Sequence, residues 1–352
     1  MKSLKPEFLE VLTLSTEQGA TLRRIGEYKG KQELFERQTP EVLKTLRSVA
    51  LVESSESSNR IEGIVAPHKR IERLVLKTTT PRNRSEQEIA GYRDVLNLVH
   101  ESTRDIPLSA RVIQQFHQRL YRYLPSEGGH WKPTDNEIVE RNAKGEITRV
   151  RFKAVSAVET PHAMDELIRG YNGAVGRDGR EPLVVIPLTV LDFLCIHPFT
   201  DGNGRVARLL TLLLLYHFDY RVGKYISLER IFEESGQTYY DSLEASSHGW
   251  HDGRHDVVPW VTYFWGVLLR AYGEFEDRVG VVGGGRRSKA QRVRDAVERR
   301  VASFQISDIE RDCAGTSRDT IRKVLRKLRD EGIIVSEGVG RGARWRRTEK
   351  RS

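Results

Sequence analysis

The chain has 352 residues, enough for two or three domains, and its 30% charged and 38% hydrophobic residues are typical of a soluble globular protein. Its net charge of +9 is uneven, because residues 286–352 carry 20 Lys and Arg against 10 Asp and Glu, whereas residues 1–285 carry 38 against 39. The nearly neutral N-terminal part is therefore excluded as a general polyanion-binding surface, and any attraction to a polyanion is expected from the C-terminal segment.

Cysteine content and the N-terminus indicate the compartment. The two cysteines, Cys195 and Cys313, lie far apart in the sequence, so no disulfide framework is expected and a reducing cytoplasm is the predicted location. The first six residues, Met1 to Pro6, contain no apolar core, which predicts neither a signal peptide nor a membrane anchor.

The N-terminal part is predicted to be helical. Residues 1–38 have the apolar spacing of helices, and Thr39-Pro40-Glu41 is typical of a helix start, with a capping Thr and a Pro in the first turn. This helix is predicted to extend to the serine-rich stretch at 54–58.

The segment Ser58-Asn59-Arg60-Ile61-Glu62-Gly63 follows. Ser58 and Glu62 are four residues apart, so on a helix they share one face, and Gly63 can end that helix. By itself this pattern is typical of a solvated helix end with a surface glutamate.

Helices and a hairpin are predicted next. Apolar residues at spacings of three and four indicate helices within 86–122, and Gly128-Gly129 then breaks the pattern. Strand patterns at 137–139 and 147–152 flank a turn at 142–145, which predicts a β-hairpin.

Helices predicted at 161–171 and 183–196 lead to the stretch that carries the chemistry of the chain. It reads His197-Pro198-Phe199-Thr200-Asp201-Gly202-Asn203-Gly204-Arg205-Val206-Ala207-Arg208. The Gly-Asn-Gly turn can adopt left-handed backbone angles, so successive amides can converge on an anion. A helix is predicted from Arg205 to Phe218, and the positive end of its dipole adds to this site. The stretch therefore predicts a phosphate site.

Four side chains of this stretch fit phosphate chemistry. Arg205 and Arg208 are three residues apart on one helix face, where their planar forks can hold further phosphate groups. Asp201 supplies the hard oxygen ligand that Mg²⁺ prefers, and His197 can take a proton from an incoming hydroxyl. A triphosphate with its metal fits this set better than a monophosphate.

Two other interpretations of the stretch fail, and a third is weakened. An EF-hand loop starting at Asp201 would need Gly and Glu where the chain has Val206 and Leu212. The apolar run 209–215 is too short to cross a bilayer and is typical of a buried helix. A histidine after an apolar stretch is often a core residue, but the neighbours of His197 favour a functional one.

The pattern His-x-Phe-x-Asp-Gly-Asn-Gly-Arg-x-x-Arg resembles the signature of the Fic (Fic/Doc) family, and every specified position is filled at 197–208. The resemblance implies a mainly α fold, with a helical core and a small β-hairpin flap, and a reaction that moves AMP from MgATP to a protein hydroxyl. It also implies a role for each signature residue: the base His197, the core anchor Phe199, the Mg²⁺ ligand Asp201, the phosphate cradle Gly202 to Gly204, and the β- and γ-phosphate clamps Arg205 and Arg208.

The segment from Ser58 to Gly63 gains a second interpretation from this resemblance. The pattern Ser/Thr-x-x-x-Glu-Gly/Asn resembles the family's inhibitory motif, and its place before the signature is similar to the subclass whose inhibitory helix precedes the core. The resemblance implies that Glu62 reaches Arg208, takes the γ-phosphate position and misorients ATP.

The resemblance also implies roles for the hairpin and for a later segment. The hairpin would be a flap over the active site whose edge holds a target segment by strand addition, the alternative being a hairpin without function. Ile226 to Glu229 resembles the segment that completes the nucleotide pocket, and Tyr239 or Tyr240 is expected near the adenine, with aromatic core packing as the alternative. The predicted ATP-binding residues are Gly202, Asn203, Gly204, Arg205, Val206, Ala207, Arg208, Tyr239 and Tyr240.

The C-terminal part is predicted to follow a linker. A helix at 257–268 closes the core, and the glycine-rich segment 280–285 predicts a flexible connection. No Gly-Lys-Ser/Thr follows these glycines, so they are not a Walker phosphate loop. Three helices are then predicted: one at 292–301, one capped by Ser307 and ending at Gly315, and one capped by Ser317.

The third of these helices has two different faces. Ile321, Val324, Leu325 and Leu328 form the apolar face, and Arg318, Arg322, Lys323, Arg326 and Arg329 form the basic face. Strands at 333–335 and 344–346, joined by a glycine turn at 338–342, would form a basic wing. The succession resembles a winged helix-turn-helix with Arg318 to Arg329 as the recognition helix, which implies DNA binding. A solvated basic face and a protein docking site stay open as alternatives.

The sequence as a whole predicts a self-inhibited protein adenylyltransferase that transfers AMP from MgATP to a Ser, Thr or Tyr hydroxyl of a target protein or of itself. Removal of AMP, another nucleotide or phosphoryl transfer at the same site, and an ATP-sensing DNA-binding regulator stay open. The expected partners are ATP, Mg²⁺, a protein substrate and, through the tail, DNA; a homodimer is implied by analogy with the family. The predicted parts are an N-terminal helical region with the inhibitory motif (1–100), the catalytic core (101–279), the linker (280–285) and the winged helix-turn-helix (286–347).

Overall fold

The computed structural model describes residues 2–38, 40–141, 146–280, 289–300, 303–313, 316–338 and 343–348. Helices account for 67% of the described residues, which confirms the prediction of a mainly α fold with a small two-stranded sheet. The helices are α1 (Pro6–Val11), α2 (Thr16–Gln38), α3 (Pro40–Ile61), α4 (His68–Val75), α5 (Arg84–Ser102), α6 (Ala110–Leu120), α7 (Thr160–Asn172), α8 (Pro182–Ile196), α9 (Asn203–His217), α10 (Leu228–Glu234), α11 (Gly236–Ser247), α12 (Val258–Gly280), α13 (Lys289–Glu298), α14 (Ile306–Asp312) and α15 (Arg318–Asp330). The strands are β1 (Glu137–Arg141), β2 (Ile147–Lys153), β3 (Ile334–Glu337) and β4 (Arg344–Arg347).

Helices α8 and α9 lie at the centre of the core. Both are apolar on nearly all sides, as expected of helices that neighbours surround completely, and nearly every side chain in them is buried. Helix α12 packs against α8, and the indole groups of Trp260 and Trp265 donate to carbonyls of Pro187 and Leu183 at 2.8 Å. The turn between α8 and α9, which carries the signature, is therefore held by the most deeply buried elements of the fold.

Helix α3 continues through the serine-rich stretch, so the prediction that the helix ends there is wrong. The hydroxyl of Ser55 donates to the Leu51 carbonyl at 2.8 Å, and Ser54 donates to Glu229 at 2.7 Å. Because these side chains are short, α3 can pack closely against α5 and α10, and this packing buries them. The helix ends at Ile61, and Gly63 follows with φ of 76°, the left-handed conformation predicted for a glycine that ends a helix.

The hairpin predicted before the signature is present. Strands β1 and β2 pair antiparallel, with Glu137 opposite Lys153 and Arg141 opposite Ile147. Phe152 stacks on His251 with ring centroids 5.2 Å apart, and Arg149 forms an ion pair with Glu244 of α11. The hairpin is thus anchored on α11, and its predicted turn at 142–145 lies outside the described residues.

Asp192 of α8 is fully buried and binds the N-terminal segment. Its carboxylate accepts hydrogen bonds from the Ser3 amide at 3.1 Å, from the Ser3 hydroxyl and from the Trp250 indole at 2.6 Å. The Ser3 hydroxyl is also 2.8 Å from Nε2 of His255. This trio is not a hydrolase triad, because Asp192 binds the serine and not the imidazole, and all three side chains are buried.

The C-terminal helices and strands have a hydrophobic cluster of their own. It is formed by Val293, Ala296, Val297, Phe304, Ile309, Cys313, Ile321, Leu325, Leu328, Ile334 and Trp345. The predicted order of three helices and two antiparallel strands is confirmed. Residues 281–285 of the predicted linker, Gly315 and the predicted wing turn at 339–342 lie outside the described residues, as does Thr39.

Several helix ends in the tail differ from the prediction. Helix α14 is capped by Gln305 and not by Ser307, because the Gln305 side chain and Asp308 form a reciprocal capping box, and it ends at Asp312, before the predicted end at Gly315. Helix α13 spans Lys289–Glu298 where 292–301 was predicted. Ser317 caps α15 as predicted, its hydroxyl accepting from the Thr320 amide at 3.3 Å.

The tail meets the core at Arg299. Its Nη2 donates to Oδ2 of Asp277 at 2.8 Å, and its side chain lies directly on Gly273 of α12, where a Cβ atom would be 2.2 Å from the Arg299 Cδ. A cavity of about 320 Å³ beside this contact is lined mostly by charged residues. Both cysteines are buried and free, and no described helix has the length and apolar character that a bilayer span needs.

Three buried histidines make the stability of the fold sensitive to acid. His100, His117 and His255 are 7%, 6% and 5% exposed, and burial, which disfavours the charged imidazolium, lowers their pKa to about 3, about 4 and about 4. In the folded state these side chains stay neutral at a pH where the unfolded chain already binds protons.

We therefore expect the free energy of unfolding to fall as the pH drops below about 6.5, the ordinary pKa of histidine. The stability is fully present above that pH and decreases towards the folded-state pKa values, by up to about 1.4 kcal/mol per pH unit for each histidine. Urea unfolding between about pH 7.5 and about pH 5.5 measures this dependence. His100→Phe should make it shallower, and a free energy that stays constant over this range would contradict the expectation.

Candidate active site

The signature forms the turn between α8 and α9. His197 follows α8 in the left-handed conformation, with φ of 51°, and Gly202 precedes α9 with φ of 78°. The side chain of Asn203 holds the turn: its Oδ1 accepts from the Phe199 amide at 2.9 Å and its Nδ2 donates to the Phe199 carbonyl at 2.7 Å. Asn203 is 2% exposed, and its side chain is engaged within the turn.

His197 is oriented as a proton acceptor. Its Nδ1 lies 3.3 Å from the Leu194 carbonyl, which requires the proton on Nδ1 and leaves the lone pair on Nε2. Burial, and then the positive charge of Lys132, lower the pKa of His197 to about 4, whereas its hydrogen bond to Leu194 and the charges of Glu62 and Asp201 oppose the shift. At neutral pH the side chain is therefore an uncharged base.

Asp201 presents an ionised carboxylate at the edge of the turn. Oδ1 accepts from the Gly202 amide at 2.7 Å, and Oδ2 accepts from the Tyr121 hydroxyl at 2.9 Å. Partial burial raises its pKa, but Arg205, the Gly202 amide and Tyr121 together hold the pKa of Asp201 below its usual value. The side chain is 61% exposed, so a cation could reach it from solution.

The donor set around Asp201 fits Mg²⁺ with few protein ligands. Within the described residues no group of three or more His, Cys, Asp or Glu side chains could enclose a metal ion. Mg²⁺ commonly keeps several waters and binds through one or two carboxylates plus phosphate oxygens. Asp201 could therefore hold Mg²⁺ only together with water and a phosphate-bearing substrate.

Arg208 and Glu62 are in contact. The Nη2 of Arg208 donates to Oε1 of Glu62 at 2.7 Å and to the Ser58 carbonyl at 2.8 Å, and its Nε donates to the Ser58 hydroxyl at 2.8 Å. Arg208 is 3% exposed, whereas the Glu62 side chain is 29% exposed. The structure thus brings together the pair that the sequence predicts, and the end of α3 covers the second arginine of the signature.

The Glu62 carboxylate also lies on the first turn of α9. A Cβ atom on Gly204 would be 2.2 Å from Oε1 of Glu62, so glycine is needed at 204 for this contact. The first amides of a helix have no acceptor within it, and the helix dipole is positive there, which favours an anion. A protein carboxylate therefore stands where the sequence predicts a phosphate.

Residues 107–215, which include the hairpin and the signature, match the sequence model of the Fic/DOC family. These residues are called the Fic/DOC domain, after the family to which they are similar. Proteins of this family are typically transferases that move AMP or other nucleotide-derived groups onto proteins. Among proteins of curated function, none matches this chain.

Solved structures share the fold of the Fic/DOC domain and its surroundings. A Fic family protein from Desulfovibrio desulfuricans G20 has a TM-score of 0.61 at 19% identity, over 97% of this chain and 98% of that one. A Fic domain containing signaling protein from Bacteroides thetaiotaomicron VPI-5482 has a TM-score of 0.60 at 22% identity, over 73% and 97%. A part of Fic-1 from C. elegans has a TM-score of 0.57 at 18% identity, over 75% and 72%. At these identities the likeness concerns the fold.

Some residues predicted to bind ATP in the Fic/DOC domain do not face the site with their side chains. Val206 and Ala207 point into the core and are 0% and 1% exposed, and the Val206 amide already donates to the Gly202 carbonyl at 3.0 Å. Helix geometry explains the difference, because these positions lie beyond the first amides of α9.

Arg205 differs from the expected free phosphate clamp. Its Nη1 donates to Oε2 of Glu88 at 2.7 Å, its Nη2 is 3.5 Å from Oδ2 of Asp201, and the side chain is 1% exposed. The guanidinium is thus engaged by carboxylates of the protein and orients Asp201. Direct binding of phosphate by Arg205 remains a prediction.

The two tyrosines expected near the adenine have different surroundings. Tyr239 is 4% exposed and packs against Phe232, Trp260 and Tyr263, so aromatic core packing explains its ring. Tyr240 is 41% exposed, and the Arg151 guanidinium of β2 lies 5.7 Å from its ring centroid. Of the two, Tyr240 is the ring that a ligand could reach.

His117 of α6 and Tyr121, the residue that follows this helix, hold the signature of the Fic/DOC domain and were not among the residues predicted from the sequence. The His117 ring stacks on Phe199 with centroids 3.8 Å apart; its Nδ1 accepts from the Gly129 amide at 2.8 Å, and its Nε2 donates to the Asp201 carbonyl at 3.0 Å. Tyr121, one turn later, binds the Asp201 carboxylate. A polar pair four residues apart on an amphipathic helix was the available signal, but it does not identify the partner.

Proposed function

We propose that this protein is a protein adenylyltransferase, which transfers AMP from MgATP to a Ser, Thr or Tyr hydroxyl of a target protein or of itself and is inhibited by its own Glu62. The observation that carries the proposal is the neutral His197 with a free Nε2, beside the glycine turn at 202–204 that opens α9. A base next to an anion site is what attack of a hydroxyl on a phosphate requires.

Each residue of the site has a separate role in the proposed reaction. Nε2 of His197 accepts the proton as the hydroxyl oxygen forms its bond to the α-phosphorus and the bond to the pyrophosphate leaving group breaks. The amides at the start of α9 hold the transferred phosphate, and Arg208 binds the leaving group once Glu62 has moved. Mg²⁺ bound at Asp201 would neutralise charge on the pyrophosphate.

Glu62 opposes this reaction in two ways. It neutralises Arg208 through a charge-assisted hydrogen bond, and its carboxylate lies on Gly204, at the N-terminal end of α9. A phosphate group that approached the same place would meet a negative charge at contact distance, which disfavours its binding. ATP is therefore held weakly or in the wrong orientation until the end of α3 moves away.

The donor and the group transferred can be tested with labelled ATP. Glu62→Gly protein is incubated with Mg²⁺ and ATP labelled on the α-phosphate or on the γ-phosphate. The proposal expects α-label on protein and no γ-label. Retention of γ-label would indicate phosphate transfer instead, and release of AMP from a previously modified protein would support the removal reaction.

A second function is proposed for the tail, where the exposed basic side chains favour DNA binding. Arg322, Lys323, Arg326 and Arg329 are exposed on α15, whereas its apolar residues are buried in the tail cluster or, in the case of Val324, partly buried against it. The side chains of Arg344, Arg346 and Arg347 are exposed on β4. A helix and a strand that both present arginines offer phosphate contacts to a duplex, as in winged helices that read DNA.

We expect duplex DNA to bind this tail with an affinity that falls steeply with salt. Each phosphate contact that is lost reduces the slope of log K against log salt by about 0.9. The double variant Arg322→Glu/Arg326→Glu should therefore weaken binding to duplexes of different sequence to a similar extent. The control Arg254→Glu, which changes an exposed arginine outside the tail, should not weaken binding. Fluorescence anisotropy measures both variants. A flat salt dependence would exclude DNA and leave protein docking as the role of this face.

A further inference from the structure

Lys132 is a buried lysine next to the catalytic turn. It is 3% exposed, its Nζ donates to Oδ1 of Asn136 at 2.7 Å and to the Ile196 carbonyl at 3.2 Å, and its amide donates to the Pro198 carbonyl at 2.8 Å. Among the described residues no carboxylate lies within ion-pair distance of this ammonium group. A buried lysine without a paired carboxylate is rare, because desolvation of the charge is costly.

The surroundings of Lys132 explain how the charge is tolerated. Ile196 is the last residue of α8, and the C-terminal end of a helix has free carbonyls and a negative dipole charge, which favour a cation. Burial lowers the pKa of Lys132 to about 8, so much of the population is still charged at neutral pH. The ammonium group therefore caps the C-terminal end of α8, directly before His197.

Residues 132 and 136 donate hydrogen bonds to backbone carbonyls on both sides of His197. Lys132 holds the carbonyls of Ile196 and Pro198, and Nδ2 of Asn136 donates to the Phe199 carbonyl at 3.0 Å. The residue between them, His197, has a left-handed backbone conformation, which costs roughly 1–2 kcal/mol for a residue with a Cβ atom. The bracketing contacts offset this cost and fix the direction in which the imidazole points.

We propose that Lys132 is a positioning residue for the reaction: it holds the backbone around His197 so that Nε2 faces the site, and its positive charge disfavours protonation of that base. This inference rests on the proposed role of His197. Three charged groups act on His197 from different elements: Lys132 opposes a proton, whereas Glu62 at the end of α3 and Asp201 in the turn favour one. When Glu62 moves away, one of the two charges that favour a proton on His197 is lost, whereas Lys132 and Asp201 remain. His197 is therefore kept neutral more effectively in the active state than in the inhibited one.

Three substitutions of Lys132 separate its charge from its hydrogen bonds. In the Glu62→Gly protein, Lys132→Met removes the charge and the side-chain hydrogen bonds, Lys132→Gln keeps a donor without charge, and Lys132→Arg keeps both. All three keep the amide at 132 that donates to the Pro198 carbonyl. Because a displacement of about 1 Å can cost about 10²-fold in rate, we expect Lys132→Met to lower kcat for AMP transfer by about 10- to 100-fold with KM for ATP changed less than about twofold. Lys132→Gln should lie in between, and Lys132→Arg should recover most of the rate.

The protonation of His197 provides a readout that does not depend on turnover. NMR titration of the imidazole, identified by its loss in His197→Gln, should give a higher pKa in Lys132→Met and Lys132→Gln than in the parent, and an unchanged pKa in Lys132→Arg. Asn136→Ala keeps the ammonium group but loses the hydrogen bond to the Phe199 carbonyl and the acceptor for the Lys132 ammonium group. It should lower kcat while leaving the pKa of His197 unchanged. ATP affinity and the thermal midpoint show that each variant is folded.

The outcomes separate the two proposals. If the parent Glu62→Gly transfers no AMP, the proposed function is wrong, and the His197 titration alone then judges Lys132. A His197 pKa that is the same in the parent, Lys132→Met and Lys132→Gln overturns the inference, as does a kcat that Lys132→Met leaves unchanged. If Lys132→Met does not fold, Lys132→Gln and Asn136→Ala decide by the same two measurements.

Discussion

His197→Ala in the Glu62→Gly protein is expected to lower the rate of AMP transfer by roughly 10²- to 10⁴-fold, the range that a positioned general base contributes. The expectation follows from the tautomer, since the Nδ1 proton is committed to Leu194 and Nε2 is the atom that can accept one. ATP binding should change little, because the imidazole lies in the turn and does not clamp phosphate.

The rate is measured as α-label incorporated over time, with ATP affinity determined separately by calorimetry. His162→Ala is the matched control, because this histidine is largely exposed on α7 and should leave the rate unchanged. Equal rates for the parent and His197→Ala would mean that another group takes the proton, and the site as described here would be misassigned.

Glu62→Gly is expected to raise AMP transfer by roughly 10- to 150-fold, because a charge-assisted hydrogen bond contributes about 1.5–3 kcal/mol. The substitution frees Arg208 and removes a carboxylate from the first turn of α9. Both changes favour a correctly oriented triphosphate, so the affinity for ATP should increase as well.

To show that activation comes from the loss of the Glu62 carboxylate, the effect of removing it is compared with that of removing another carboxylate nearby. Glu62→Ala removes the carboxylate without adding a glycine, and Glu56→Ala removes a carboxylate that pairs with Arg60 and His68 away from the signature. We expect activation in Glu62→Ala and none in Glu56→Ala. Activation of equal size in both would point to loosening of α3 in general and not to the contact with Arg208.

Much of the site could be predicted because its residues are adjacent in the sequence. The turn from His197 to Arg208 needs particular residue types at fixed spacing, and the amphipathic or apolar periodicity of its neighbours predicts the helices that hold it. The contact of Glu62 with Arg208 spans 146 residues and could be predicted only through the resemblance of the Ser58–Gly63 segment to an inhibitory motif.

The rest could not be predicted, because it depends on contacts between distant elements. Glu88 pairs with Arg205 across 117 residues, and Tyr121 binds Asp201 across 80. Nothing in the local pattern around Lys132 indicates that its ammonium group is buried beside His197. The same limit explains α3, where serines that suggest a helix end are instead the small residues of a buried helix surface.

Adenylyl transfer and its inhibition by Glu62 are tested most directly by the retention of α-label on protein, with ATP and Mg²⁺, in wild type, Glu62→Gly and Glu62→Gly/His197→Ala. We expect strong label in Glu62→Gly, weak label in wild type and nearly none in the double variant. Equal label in wild type and Glu62→Gly would contradict inhibition by Glu62. If none of the three retained label in the presence of protein targets, although each bound ATP, adenylyl transfer would be contradicted as the function of this site.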